Sequence, residues 1–330
     1  MHIRLIGVSV RLIGVAVAAL PFVAGCGQDG VRVRPAGEWS SAPAPSAPPD
    51  PPATATSTAT SPAGTATPDS PVPSACQDGW DCAQRARFEA AAAYAANRRG
   101  QLGVVMRDRQ TGAVWRAGAT RTPMWTGSTI KLAIATFLLE RQRAGAIHLT
   151  DADRRAMSDM LRSSSNDATD TLWNRYDGPG MLDRFRAGYG MASLSVVAGR
   201  ETYWRNLRCT AEDLDHLMSY VLGDHLHADD RAYLVETLRG VADNQHWGVW
   251  AAGPTLRPGN KDGWALKPDS GGEHWVTHTV GFAGPTERCV VVVMYSQPPG
   301  GTLSAGVHAV SDVVALLFGG QTPAKVSVPA

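Results

Sequence analysis

Lysine is the scarce residue of this 330-residue chain. Lys131, Lys261, Lys267 and Lys325 are its only lysines, although Lys and Arg together number 31. Arginine, which does not give up its proton in a protein, therefore writes nearly all the positive charge. Net charge is only +1 and charged residues make up 18%, so there is no field of one sign to draw a polyanion. The chain has no basic run and no Gly-rich phosphate loop, and no nucleic-acid partner is expected. It has no Cys-x-x-Cys spacing, and neither a metal nor another cofactor is called for. His225 and His227 with Asp229 and Asp230 read as a polar turn between helices, and His274 and His278 as structural residues on one face of a strand. No internal repeat is evident.

The one extended apolar stretch near the start, residues 12–20 behind Arg4 and Arg11, is short for a membrane span. Residues 1–25 read as a secretory signal. It ends in Val23-Ala24-Gly25-Cys26, which resembles the bacterial lipobox. That resemblance implies cleavage before Cys26, lipidation of its thiol and a location on the outer face of the cell membrane. Residues 26–75 are rich in Pro, Ala, Ser and Thr. They hold too few large apolar side chains to offset the entropy of ordering, so a disordered tether is expected. The globular domain is placed at 76–330, long enough for one large core.

Within it, residues 83–98 are Ala-rich and predict a helix. Residues 102–106 and 113–115, split by a Gly-containing turn, predict a hairpin. Helices are expected over 150–161, 166–176, 210–222, 229–238 and 304–318, and strands over 275–282 and 288–295. Strands at both ends with helices between them predict an α+β fold: an antiparallel sheet formed by both ends of the domain, flanked by helices, with an inserted helical subdomain. Four cysteines remain after Cys26. In an exported chain an even number favours disulfides, with three possible connectivities. The pairing expected first is Cys76 with Cys82 and Cys209 with Cys289.

The scarce lysine makes one stretch stand out. Ser128-Thr129-Ile130-Lys131 places a serine and a lysine three apart, at the entrance to the apolar run of residues 132–139. That run reads as a helix buried on all sides, with Ser128 in its first turn and Lys131 one turn on, on the same face. A helix start also offers free N–H groups to a developing oxyanion. The chemistry indicated is a serine nucleophile with a lysine that accepts its proton. About one Ser-x-x-Lys pattern is expected by chance in a chain of this length. Its weight comes from a lysine being spent here by a chain that otherwise writes Arg.

Two further patterns come later in the chain: Ser164-Ser165-Asn166 between two expected helices, and Lys261-Asp262-Gly263 leading into Trp264. By themselves they also fit a helix cap and a turn. Together and in this order, Ser-x-x-Lys, Ser-x-Asn and Lys-x-Gly resemble the motifs of serine β-lactamases and penicillin-binding DD-peptidases. The resemblance implies that Ser128 is acylated, and that Lys131 takes its proton or assists the base. It implies that Ser164, with Lys261 beside it, relays a proton to the leaving nitrogen. Asn166 would hold the substrate amide, Gly263 would leave room along the strand edge, and the backbone N–H groups of Ser128 and Trp264 would form the oxyanion hole.

Two departures qualify what the resemblance implies. Asp262 stands where the family usually has Thr or Ser to help hold a substrate carboxylate. Like charges at about 4 Å would repel by about 1–4 kcal/mol, depending on screening. Glu201 begins a stretch similar to the Glu-x-x-Leu-Asn pattern that carries the deacylating base of class A β-lactamases, but its Asn206 falls one residue late. Glu201 reads first as a solvated carboxylate and only second as that base. The function implied is an exported, lipid-anchored serine hydrolase or acyltransferase acting through an acyl-enzyme on amide, ester or β-lactam carbonyls. Its substrate would be a small molecule or derived from peptidoglycan. A catalytically silent envelope-binding module and a true class A-like β-lactamase are the alternatives.

Overall fold

The computed structural model describes residues 80–269 and 271–329. The expected signal sequence and tether, the lipidation expected at Cys26 and the disulfide expected between Cys76 and Cys82 rest on residues 1–79, which lie outside the described residues. Cys82 opens the first helix. The domain is an α+β fold built on a five-stranded antiparallel sheet in the order β2-β1-β8-β7-β6. Its strands are β1 (Gln101–Asp108), β2 (Val114–Gly118), β6 (Gly259–Asp269), β7 (Gly272–Ala283) and β8 (Cys289–Ser296). Both ends of the domain thus meet in one sheet, because β1 pairs with β8 along its whole length.

The Val run of β8 is apolar on both faces because both faces are covered. Val290, Val292 and Met294 face the helical region, whereas Val291, Val293 and Tyr295 face the opposite layer. That second layer is formed by the terminal helices α1 (Cys82–Ala96) and α8 (Leu303–Leu317). The helical region holds α2 (Lys131–Arg143), α3 (Asp151–Arg162), α4 (Asn166–Arg175), α5 (Gly178–Gly188), α6 (Ala211–Leu222) and α7 (Ala228–Arg239). A small sheet in the order β3-β5-β4 joins it: β3 (Met124–Trp125), β4 (Ser195–Val196) and β5 (Leu207–Cys209).

The expected helices and the first hairpin are present. Helix α5 is an addition: Gly178-Pro179-Gly180 reads as a break, yet Pro is tolerated in a first turn, and Asp177 caps it by accepting from the Gly180 N–H. The third motif lies inside a strand, β6, which precedes the two strands expected near the C-terminus. Pro268 is accommodated there because β6 is an edge strand, where a missing N–H leaves no ladder bond unmade. The polar turn is confirmed in kind, with the His227 ring capping α7.

The Cys209–Cys289 disulfide is not formed; both are free thiols. Cys209 is packed in the core of the helical region, and Cys289 packs with the layer on the other face of the sheet. The sheet itself separates them.

Candidate active site

The site lies where the free edge of β6 meets the turn that leads into α2. Residues Gly127–Ile130 form a 3₁₀ turn, and α2 proper begins at Lys131. Ser128 therefore sits just before the helix rather than in its first α-turn. Residues Lys131–Thr136 are all buried. This is the helix that the apolar run predicts, fixed through the middle of the domain by its uniform burial.

Two glycines let the turn and the strand touch. A Cβ on Gly263 would lie 2.8 Å from the Ser128 nitrogen, and one on Gly127, whose φ is +54°, would lie 3.2 Å from the Gly263 carbonyl carbon. Only a bare backbone fits this approach. It brings the main chain of Ser128 beside that of Gly263 and Trp264, the arrangement an oxyanion hole of these two N–H groups requires. His278 holds the turn from below. Its Nδ1 accepts from the Tyr295 N–H at 3.0 Å, so its Nε2 is the donor to the Trp125 carbonyl at 2.8 Å. Burial pushes this imidazole down to about 4, and it stays neutral.

Lys131 is fully buried. Its Nζ donates to the Ser164 carbonyl at 2.7 Å and to Asn166 Oδ1 at 2.9 Å, with Ser164 Oγ at 3.4 Å. Lys261, also fully buried, donates to the same Ser164 Oγ at 3.0 Å and to the Asp262 carbonyl at 2.8 Å. One hydroxyl thus bridges two amines. Ser164 has φ +61°, an uncommon setting for a residue with a side chain. Ser165, not Ser164, caps α4 by accepting from the Ala168 N–H, which leaves Ser164 and Asn166 to face the lysines. The cap and the site are both present in one tripeptide. Among the described residues no hydrogen bond joins Ser128 Oγ to Lys131 Nζ. Such contacts often tighten only when substrate is bound.

Burial is the largest influence on both amines. Aided by the charges of Lys261 and Arg205, it brings Lys131 down to about 6, and it lowers Lys261 to about 7 against the pull of Asp262. Asp262 does not face the substrate side. It is fully buried beneath β6, its carboxyl beside Thr279 and Asn260, and burial raises its pKa well above the usual carboxylate range. The reason is strand alternation: Lys261 points toward the helical region, so its neighbour must point to the other face. Gly248 makes room there, since a Cβ on it would fall 3.0 Å from Asp262 Oδ1. The expected repulsion of a substrate carboxylate by Asp262 therefore has no geometric basis.

Glu201 is also away from the site. It is exposed, and its carbonyl accepts from the Asn206 amide. The loop of residues 197–206 instead delivers Trp204 and Arg205. The Trp204 ring lies 4.7 Å from Lys131 Nζ, where it seals the amine from solvent. Asp170 on α4 ties the loop down, accepting from Trp204 Nε1 at 2.7 Å, Arg205 Nη2 at 3.1 Å and the Tyr203 hydroxyl.

The resulting cavity, about 300 Å³, is lined by Ser128, Asn166, Trp204, Arg205, Trp264 and Lys267 among others, and no carboxylate stands in its wall among the described residues. Sequence reasoning missed Trp204 and Arg205, and with them Gln245. The buried Gln245 accepts from Lys261 Nζ and from the Asp262 N–H at 3.1 Å, and donates to the Leu161 and Arg162 carbonyls at 2.7 and 2.8 Å. It ties β6 to the end of α3, and nothing in its local sequence marks it. Among the described residues no cluster of His, Cys, Asp and Glu is arranged to hold a metal ion.

This architecture is the class A β-lactamase fold. An ancestral class A β-lactamase superposes with TM-score 0.58 at 20% identity, covering 71% of this chain and 99% of that one. The class A β-lactamase from Mycobacterium abscessus gives 0.57 at 18% identity, covering 70% and 98%. A β-lactamase from Chitinophaga pinensis gives 0.58 at 14% identity, covering 71% and 98%. In sequence the chain is distantly homologous to the protein named "Putative lipoprotein LppW" of Mycobacterium tuberculosis and of Mycobacterium bovis. It is 28% identical to each over 207 residues, 60% of this chain. The match spans 63% of the length of those relatives. No family model matches the chain.

Proposed function

We propose that the protein is a lipid-anchored serine acyltransferase or hydrolase of the cell envelope that forms a long-lived acyl-enzyme. The observation that carries this reading is the pair of buried lysines sharing the Ser164 hydroxyl, of which Lys131 lies one turn beyond Ser128. Burial favours the uncharged amine, which is what a base needs. Ser128 Oγ bonds to the acyl carbon as its proton passes to Lys131. The carbonyl oxygen takes the negative charge beside the N–H groups of Ser128 and Trp264. When the tetrahedral adduct collapses, the bond to the leaving nitrogen or oxygen breaks, and that atom receives a proton through Ser164, with Lys261 behind it. Asn166 orients the acyl donor's amide, and Gly263 leaves the strand edge open to it.

Deacylation has no equivalent partner among the described residues in the wall of the cavity. The cavity wall holds no carboxylate to activate water, Glu201 is exposed, and Trp204 lies over Lys131. These features favour a slow release of the acyl group over the rapid turnover of a true β-lactamase. The lipid anchor rests on the lipobox at Cys26 and on the lipoprotein name of its relatives. The acyl donor would then be a peptidoglycan-derived peptide or a related small molecule met outside the membrane.

The test is intact-mass analysis after exposure to a panel of β-lactams and a fluorophosphonate. Wild type should gain one adduct that persists for many minutes, and Ser128→Ala should gain none. No adduct on wild type would instead support a silent binding module, and rapid turnover of a chromogenic cephalosporin would support a true β-lactamase.

A further inference from the structure

A second cavity, about 590 Å³, opens beyond the catalytic one and has no part in the acyl-transfer chemistry of Ser128. The two share a wall. Residues 264–267 of β6 line the catalytic cavity, and the next two, Pro268 and Asp269, line the second. Trp125, three residues before Ser128, also lines the second cavity. Its ring carries three cations: Lys267 Nζ at 4.6 Å, Arg208 at 5.3 Å and Arg200 at 5.7 Å. Arg200 and Arg208 line the second cavity, while Lys267 lines the catalytic one and donates to the Arg205 carbonyl at 2.9 Å.

Two donors buried behind this wall are unused. Trp125 is 97% buried, since only 3% of it is exposed, and its indole Nε1–H has no partner among the described residues. Arg208 Nε is likewise buried without a partner among them. An unmet buried N–H costs about 1–3 kcal/mol, and such a group is expected to have an acceptor in the working state. The one carboxylate among the described residues lining the cavity, Asp269, accepts from the Gly271 N–H at 2.7 Å and lies 3.1 Å from His274 Nδ1 without forming a hydrogen bond to it. Cationic side chains stacked on an aromatic face, with their guanidinium ends at a cavity, suit a carboxylate.

We propose that this second cavity binds a carboxylate borne by the acyl donor beyond its reactive carbonyl, held by the guanidinium groups of Arg200 and Arg208. The proposal rests on the acyl-enzyme reading of Ser128 and assigns its substrate class: an extended donor that is anionic at its far end. Lys267 and Trp125, at the shared wall, are the residues such a donor would pass.

The test compares two acyl donors on the full chain, mono-p-nitrophenyl adipate and its uncharged counterpart p-nitrophenyl hexanoate, by the burst of nitrophenolate. Wild type should be acylated about tenfold faster by the charged ester, the scale of one charged hydrogen bond. In Arg200→Gln and in Arg208→Gln the ratio of the two rates should fall toward one. The ratio is the readout, so a general loss of activity cancels. A ratio near one in wild type, or a ratio unchanged in both variants, overturns the proposal. Calorimetric titration of adipate into Ser128→Ala separates this from the chemistry. If neither ester gives a burst, the acyl-enzyme reading fails. The site still stands if adipate binds and Arg208→Gln weakens that binding at least severalfold, and it falls if adipate does not bind.

Discussion

At the scale of single residues, the two lysines set the pH range in which the site can work. Lys131 must be uncharged to take the Ser128 proton, and burial first, then the charges of Lys261 and Arg205, holds it near 6. Lys261, near 7, must keep its proton to support the leaving group through Ser164. Acylation should therefore follow a narrow bell, rising through about pH 6 and falling above about pH 7, with the two apparent values belonging to the coupled pair. The same amines bear on stability. Between about 6 and the ordinary lysine value of 10.5, the unfolded chain binds a proton that folded Lys131 does not. Stability from this group is thus present at high pH and lost as pH falls, by up to about 1.4 kcal/mol per pH unit. Adduct formation measured from pH 5 to 9 checks the first point, and a flat profile would contradict it. Urea midpoints of wild type and Lys131→Met over the same range check the second.

At the scale of elements, the site depends on a loop pinned to a helix. Residues 197–206 contribute the seal over Lys131, and Asp170 on α4 is their anchor through three hydrogen bonds. Asp170→Ala would leave the buried Trp204 Nε1 without an acceptor, a loss of about 1–3 kcal/mol. In a domain of this size that is a fall in Tm of roughly 2–12 °C. Hydrogen exchange should quicken in residues 197–206 and remain slow in β8. Equal quickening in both would mean that Asp170 supports the whole fold rather than the loop. The edge position of β6 is the other element-level feature. An interior strand would have no free edge to meet the Ser128 turn, and its close approach depends on the facing pair Gly127 and Gly263.

At the scale of the whole molecule, a sheet covered on both faces divides the interior into two cores, and that division overrules the disulfide between Cys209 and Cys289. Burial raises the Cys209 thiol well above its ordinary value and brings Cys289 to about 11. Both should resist alkylation in the native protein at about pH 7.5. Both should be carboxamidomethylated after denaturation without reductant. A cross-linked peptide joining positions 209 and 289 in the digest would contradict this.

The amino-acid order by itself determined the helix behind Ser128, the terminal strands that meet in one sheet, and the three short patterns that supply Ser128, Lys131, Ser164, Asn166, Lys261 and Gly263. These are legible because periodicity, capping and the rarity of lysine are local properties. Only the tertiary structure decided which way Asp262 and Glu201 turn, that Gln245 braces Lys261, that Trp204 covers Lys131, and that Trp125 lies under three cations. Most of those depend on residues from different elements of the chain being brought face to face. Strand alternation and packing across a sheet decide such contacts, and no short window of sequence contains both partners.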